Sequence, residues 1–152
     1  MRHLISRGLS LAFLATICLC QDASHPWSKE EFLEPATFAK ELESGKQPMI
    51  LSVAFPVLYR SRHIVRAIDA GPGSKPEGIE ALKRAVGSLP KDADIVVYCG
   101  CCPMVKCPNI RPAYKVLKEM GFTHVRVLDI QTDMRADWYS KNFPSEPGAE
   151  QK

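Results

Sequence analysis

The chain has 152 residues, of which 45% are hydrophobic and 24% are charged, and its net charge is +3. This length and composition suit one globular domain with a buried core. Two of the surplus positive charges, Arg2 and Arg7, lie near the N-terminus, so the rest of the chain is close to neutral. Because the net charge of this body is near zero, we expect no nucleic-acid partner.

The N-terminal segment resembles a secretion signal. Arg2 and Arg7 precede an apolar run, residues 9–19, which is too short to span a bilayer comfortably. We therefore predict a signal peptide over residues 1–23, with cleavage near residues 20–23, and export to the periplasm or the outside of the cell. If the segment is instead retained or lipidated, it is the only expected contact with a membrane. Export places the domain in an oxidising compartment.

Short apolar runs alternate with helical patterns along the rest of the chain. The runs predict strands over residues 49–53, 63–68, 95–98 and 125–128. The helical patterns predict helices over residues 34–43, 77–86, 112–120 and 134–140, with a turn or short helix over 55–62. This alternation predicts a mainly parallel sheet with helices on both faces. The polar residues 145–152 are predicted to form a disordered tail.

Four cysteines follow the predicted strand 95–98, in the loop before the next helix: Cys99, Cys101, Cys102 and Cys107. Ligands bind at the carboxyl ends of strands in open α/β sheets. A helix N-terminus favours a thiolate, so we expect a nucleophilic cysteine here. A framework of structural disulfides would spread its cysteines to close long loops, so this crowding indicates chemistry or metal binding instead.

Three sequence blocks, in order, resemble the rhodanese-like (sulfurtransferase) domain family. The first runs from Ile50 to Ile68, the second is Leu89–Cys99 (LPKDADIVVYC), and the third runs from Ala113 to Leu128. The resemblance covers residues 27–144. It implies a three-layer α/β/α fold with a mainly parallel central sheet.

The resemblance also implies a site and a reaction. Cys99 stands where the family has its sulfur-carrying nucleophile, which accepts sulfane sulfur from a donor such as thiosulfate and passes it on from a persulfide. The expected partners are a small anionic sulfur donor and a thiol acceptor, and no cofactor is expected. Loop amides and nearby cations would bind the anion. The residues expected in this role are Gly100, Cys101, Cys102, Met104, Val105, Lys106 and Arg111.

The chain departs from the family pattern in ways that leave other functions open. The first block differs at Ser52, Ala54, Arg62, Val65 and Arg66. The loop after Cys99 is also roughly five residues longer than the short family cradle and holds three further cysteines. Cys101, Cys102 or Cys107 is a candidate resolving thiol, with a thiol-reducing partner protein. The alternatives are a thiol–disulfide redox protein, a catalytically inert binding module, and a zinc or copper(I) protein. In the metal-binding case the ligands would be Cys99, Cys101, Cys102 and Cys107.

Overall fold

A computed structural model describes residues 26–148 of the chain. The predicted signal peptide lies outside the described residues. Within residues 26–148, no helix is both long enough and apolar enough to cross a membrane.

The centre of the fold is a sheet of five parallel strands. The seven strands of the described residues are β1 (Phe32–Leu33), β2 (Met49–Ser52), β3 (His63–Ile64), β4 (Ile68–Asp69), β5 (Ile95–Tyr98), β6 (Val125–Leu128) and β7 (Ser145–Glu146). The sheet has the order β1-β6-β5-β2-β4, so β5 is its central strand. Strands β3 and β7 form a separate antiparallel pair.

Helices cover both faces of the sheet. They are α1 (Pro35–Glu43), α2 (Pro56–Ser61), α3 (Pro76–Val86), α4 (Ile110–Glu119) and α5 (Met134–Asp137). Short 3₁₀ helices span Lys29–Glu31, Met104–Lys106 and Tyr139–Lys141. One core lies between the sheet and helices α3 and α4. A second core lies between the sheet and helices α1 and α5, which confirms the predicted three-layer α/β/α architecture.

The central strands β2 and β5 are mostly apolar because each face of the sheet packs against a helical layer. Leu51 and Val97 point into the core under α3 and α4, whereas Ile50 and Val96 point into the core under α1 and α5. All four side chains are at most 1% exposed. Successive side chains of a strand alternate between faces, so continuous hydrophobic runs are what a doubly covered parallel sheet requires.

The predicted strand 63–68 is in fact two short strands. Arg66 has φ 64°, a left-handed conformation that interrupts extended backbone. As a result β3 leaves the main sheet and pairs with β7, while β4 pairs with β2. Residues 145 and 146, expected in the disordered tail, therefore form β7 instead.

The C-terminal helices also differ from their predicted bounds. Helix α4 begins at Ile110, two residues before the predicted start, because Pro112 fits within a first helical turn that needs no N–H donor. The helix predicted over residues 134–140 ends at Asp137, and a 3₁₀ helix follows it.

Strand β1 was not predicted, since two residues are too few to show a strand periodicity.

Candidate functional site

Cys99 directly follows the central strand β5, and the loop after it is held against the segment between β6 and α5. Gly100 has φ +80°, and a Cβ at this position would collide with the side chain of Met134. The Gly100 carbonyl accepts a hydrogen bond of 3.1 Å from the Met134 amide. Farther along, the Met104 amide donates to the Ile130 carbonyl at 2.7 Å. The start of the loop is thus fixed by backbone contacts and by one glycine that no other residue can replace without strain.

The loop brings the sulfur atoms of three cysteines together. The Sγ atoms of Cys99, Cys101 and Cys107 all lie within 4.8 Å of one another. The Cys99–Cys101 and Cys101–Cys102 Sγ distances are each 3.3 Å. Cys107 and Cys99 are buried, at 0% and 4% exposure, whereas Cys101 is exposed. No disulfide bond joins the four cysteines of the described residues.

Asn109 is a site residue that the sequence analysis missed. Its side chain is fully buried. Its Nδ2 donates to Cys99 Sγ at 3.3 Å, and its Oδ1 accepts a hydrogen bond of 3.0 Å from the Ser74 amide. An asparagine just before a helix is normally interpreted as an N-cap, but the Asn109 side chain makes no cap hydrogen bond. Its contact with Cys99 depends on how the loop folds back, which the local sequence pattern does not reveal.

The pKa values of Cys99 and Cys107 are shifted in opposite directions. The hydrogen bond to Cys107 and burial raise the pKa of Cys99. The same hydrogen bond, together with the Asn109 and Ile110 amides at the start of α4, outweighs burial and lowers the pKa of Cys107 to about 6. After the hydrogen bond with Cys99, the amides at the start of α4 are thus the main groups that favour the charged form of Cys107. Burial and Cys101 raise the pKa of Cys102 to about 12.

A cleft with a volume of about 730 Å³ opens beside Cys99. Cys99, Gly100 and Cys101 form part of its wall, and the rest comes from the β2 end and the regions of α2 and α5. Two arginines, Arg62 and Arg135, also line it. Both are exposed, and the Arg62 guanidinium lies 4.8 Å from the centre of the Tyr139 ring. Sequence analysis did not assign these arginines to the site, because they approach Cys99 only through the fold.

The other predicted anion-binding residues lie outside this cleft. The amides of Met104 and Lys106 donate to backbone carbonyls, so both are already used within the chain. The side chain of Arg111 donates to the Val105 carbonyl at 2.9 Å. Cys102 is half-buried behind Cys101. Anion binding by these residues stays a prediction, whereas Gly100 and Cys101 adjoin the cleft.

Comparison with known proteins identifies the family. The model of the rhodanese-like domain matches residues 34–130, and the chain belongs to this family. The crystal structure of the Alr3790 protein from Anabaena sp. is similar, with 27% identity and a TM-score of 0.59, covering 78% of this chain and 94% of that one.

Two further structures show the same fold. The solution structure of the rhodanese-like domain of Alr3790 has 25% identity and a TM-score of 0.56, covering 80% of this chain and 89% of that one. The BH2092 protein from Bacillus halodurans is 22% identical, with a TM-score of 0.59 and 78% and 79% coverage, and shows the fold alone. None of the curated proteins matches the chain. The predicted family and fold class are confirmed.

Proposed function

We propose that this protein is a sulfurtransferase that carries sulfane sulfur as a persulfide on Cys99. The observation that carries this proposal is the position of Cys99 in a rhodanese-like fold. It follows the central strand of the sheet and adjoins the cleft beside the loop. The carboxyl end of a central parallel strand is where α/β proteins bind small ligands.

The reaction needs one carrier thiol and two transfers of a sulfur atom, the first from the donor to Cys99 and the second from Cys99 to the acceptor. The Cys99 sulfur attacks the outer sulfur of thiosulfate, the sulfur–sulfur bond of the donor breaks, and sulfite leaves with the bonding electron pair. Cys99 then holds a persulfide. An acceptor thiolate attacks the terminal sulfur of the persulfide, and the Cys99 thiolate is released. The proton of the resting Cys99 thiol has a nearby acceptor, because its hydrogen-bond partner is the Cys107 sulfur.

The cleft suits a small anionic donor. Arg62 and Arg135 place two positive charges along its wall, against one acidic residue, Asp133. The Asp133 side chain already accepts a hydrogen bond from the Ala136 amide at 2.8 Å, as the cap of α5. Cations along a cleft attract an anion before it reaches the nucleophile. We propose that donor binding depends on these arginines more than on the loop amides.

The test is mass spectrometry of reduced, metal-free protein after incubation with thiosulfate. We expect one added sulfur atom, mapped to the peptide that contains Cys99. The Cys99→Ser variant should gain no sulfur, and the Cys102→Ser variant serves as a matched control that should load like the unaltered protein. Absence of added sulfur from the unaltered, fully reduced protein would refute the proposal. Sulfur on another cysteine would also refute the assignment of Cys99.

We further propose that the protein is exported to the periplasm or the cell exterior and is kept reduced there by a thiol-reducing partner. The basic and apolar N-terminal segment supports export, and the four free thiols would need protection in an oxidising compartment. N-terminal sequencing of protein from fractionated cells tests this. An intact N-terminus on protein found only in the cytoplasm would contradict it.

A further inference from the structure

The loop holds more thiols than are needed to carry one sulfur atom. A persulfide cycle needs a single sulfur carrier, Cys99, yet the loop places two other sulfurs beside it, those of Cys101 and Cys107. The three Sγ atoms lie within 4.8 Å of one another. A metal ion with metal–sulfur bonds of about 2.3 Å holds three coplanar sulfurs roughly 4 Å apart. The thiols therefore already have nearly the spacing of a metal site.

We propose that Cys99, Cys101 and Cys107 bind a single copper(I) ion through three thiolate sulfurs. This binding goes beyond the proposed sulfur transfer and does not depend on it. Any proton still held by a ligand sulfur would be released to solvent as the metal binds. Cys102 would remain outside the coordination shell, because its sulfur does not belong to the group of three.

Nitrogen donors already point at two of the three sulfurs. Asn109 Nδ2 donates to Cys99 Sγ, and the amides of Asn109 and Ile110 donate to the Cys107 sulfur. Such donors fix the orientation of metal ligands and offset the charge of thiolates, and they are a usual second layer of metal sites. Asn109 is itself fixed by the Ser74 amide. The two inner ligands are thus held in position before any metal arrives.

The ligand set favours copper(I) over other common ions. Thiolates are soft ligands, suited to copper(I) and zinc and unsuited to calcium or magnesium. Structural zinc is almost always four-coordinate. Among the described residues, no histidine, aspartate or glutamate joins the three cysteines as a fourth ligand. Copper(I) has a filled d shell and a single charge, so three thiolates satisfy it.

The exposure of the ligands also provides an entry route. Cys101 is exposed and adjoins the cleft, whereas Cys99 and Cys107 are buried. Because Cys99 would serve both functions, copper-loaded protein should be unable to form the persulfide.

The test uses the reduced full-length chain without oxygen, titrated with copper(I) from a coloured chelator of known affinity. We expect one ion per chain. Serine at position 99, 101 or 107 removes a ligand, so each variant should bind copper(I) at least about a hundredfold more weakly, beyond the 10–100-fold effect of losing an outer partner. The Cys102→Ser variant is the matched control and should keep the affinity of the unaltered protein.

X-ray absorption of the copper-loaded, unaltered protein gives a second measurement that does not depend on whether a variant folds. Three copper–sulfur bonds would support the site. Two or four such bonds, equal weakening in Cys102→Ser, or tighter zinc than copper(I) binding would overturn it. Sulfur loading is measured separately on metal-free protein. Copper binding without loading would therefore remove only the sulfurtransferase proposal, and loading without copper binding would remove only this one.

Discussion

Substitution of Asn109 tests whether its side chain both stabilises the loop and controls Cys99. The Asn109→Ala variant loses the hydrogen bond from the Ser74 amide and the one to Cys99 Sγ, and it leaves a small cavity at a fully buried position. Each lost bond costs about 1 kcal/mol, and the cavity adds about 1 kcal/mol. We therefore expect a loss of about 3 kcal/mol in the free energy of unfolding, measured by urea denaturation.

The Asn109→Asp variant tests the control of Cys99. It keeps the oxygen that accepts from Ser74, but replaces the amide nitrogen near Cys99 Sγ with a carboxylate oxygen. Because an ionised carboxylate is costly at a fully buried position, we expect this variant to be no more stable than Asn109→Ala. Its negative charge should also oppose formation of a thiolate at Cys99. We expect alkylation of Cys99 at neutral pH to slow by about tenfold, which corresponds to about 1.4 kcal/mol. The reasoning is refuted if Cys99 in Asn109→Asp is alkylated at the rate seen in the unaltered protein, or if Asn109→Ala is as stable as the unaltered protein.

Three other perturbations give separate expectations. Gly100→Ala should lower the free energy of unfolding by about 2–4 kcal/mol in urea denaturation, whereas Gly45→Ala, also at positive φ but with open space around it, should lower it by only about 1 kcal/mol; equal losses would contradict the predicted collision. Arg62→Ala should raise the thiosulfate concentration needed for half-maximal loading roughly two- to fivefold, and this difference should vanish at high salt; a salt-independent change would count against charge attraction. Partial burial raises the pKa of Glu41, but hydrogen bonds and charge from Arg126 outweigh it, so the net shift is downward. The ionised Glu41 therefore stabilises the folded state at pH values above the ordinary glutamate pKa of about 4.3, and this stabilisation is lost as acidification protonates the folded carboxylate. Acidification below that point should destabilise the unaltered protein more than Glu41→Gln in pH-dependent urea denaturation; equal sensitivity would contradict it.

The sequence predicts the layers of this fold well because burial imposes a strong local pattern. The apolar strands β2, β5 and β6 and the helices α1 and α3 appear within one or two residues of their predicted bounds. A strand prediction failed where a single backbone conformation interrupts the predicted strand. The left-handed Arg66 splits the run 63–68, and nothing in its side chain announces a positive φ.

The candidate site also contains residues that the sequence pattern predicts and residues that only the fold brings together. Cys99 and its neighbouring cysteines could be found from sequence, because the strand, loop and helix that hold them are consecutive. Arg62 and Arg135 could not, since they join the cleft through packing between distant segments. Asn109 could not either, because its contact with Cys99 depends on how the loop folds back. The pKa difference between Cys99 and Cys107 also depends on which sulfur receives the α4 amides. Such contacts are set by tertiary structure, and residue type alone does not encode them.

The long loop explains how one departure from the family pattern changes several features of the site together. The 3₁₀ helix Met104–Lys106 turns the chain back, and Met104, only 2% exposed, anchors it in the core. That return brings the Cys107 sulfur to Cys99 at the end of β5. It also engages the Met104 and Lys106 amides, which a short cradle would direct at an anion. Under the proposed function, attraction of a donor would fall to side chains across the cleft, and under the proposed copper site the gathered thiols would be the ligands. Sulfur and copper would compete for Cys99. The redox state and metal supply around the protein would therefore determine whether Cys99 carries a persulfide or binds copper(I).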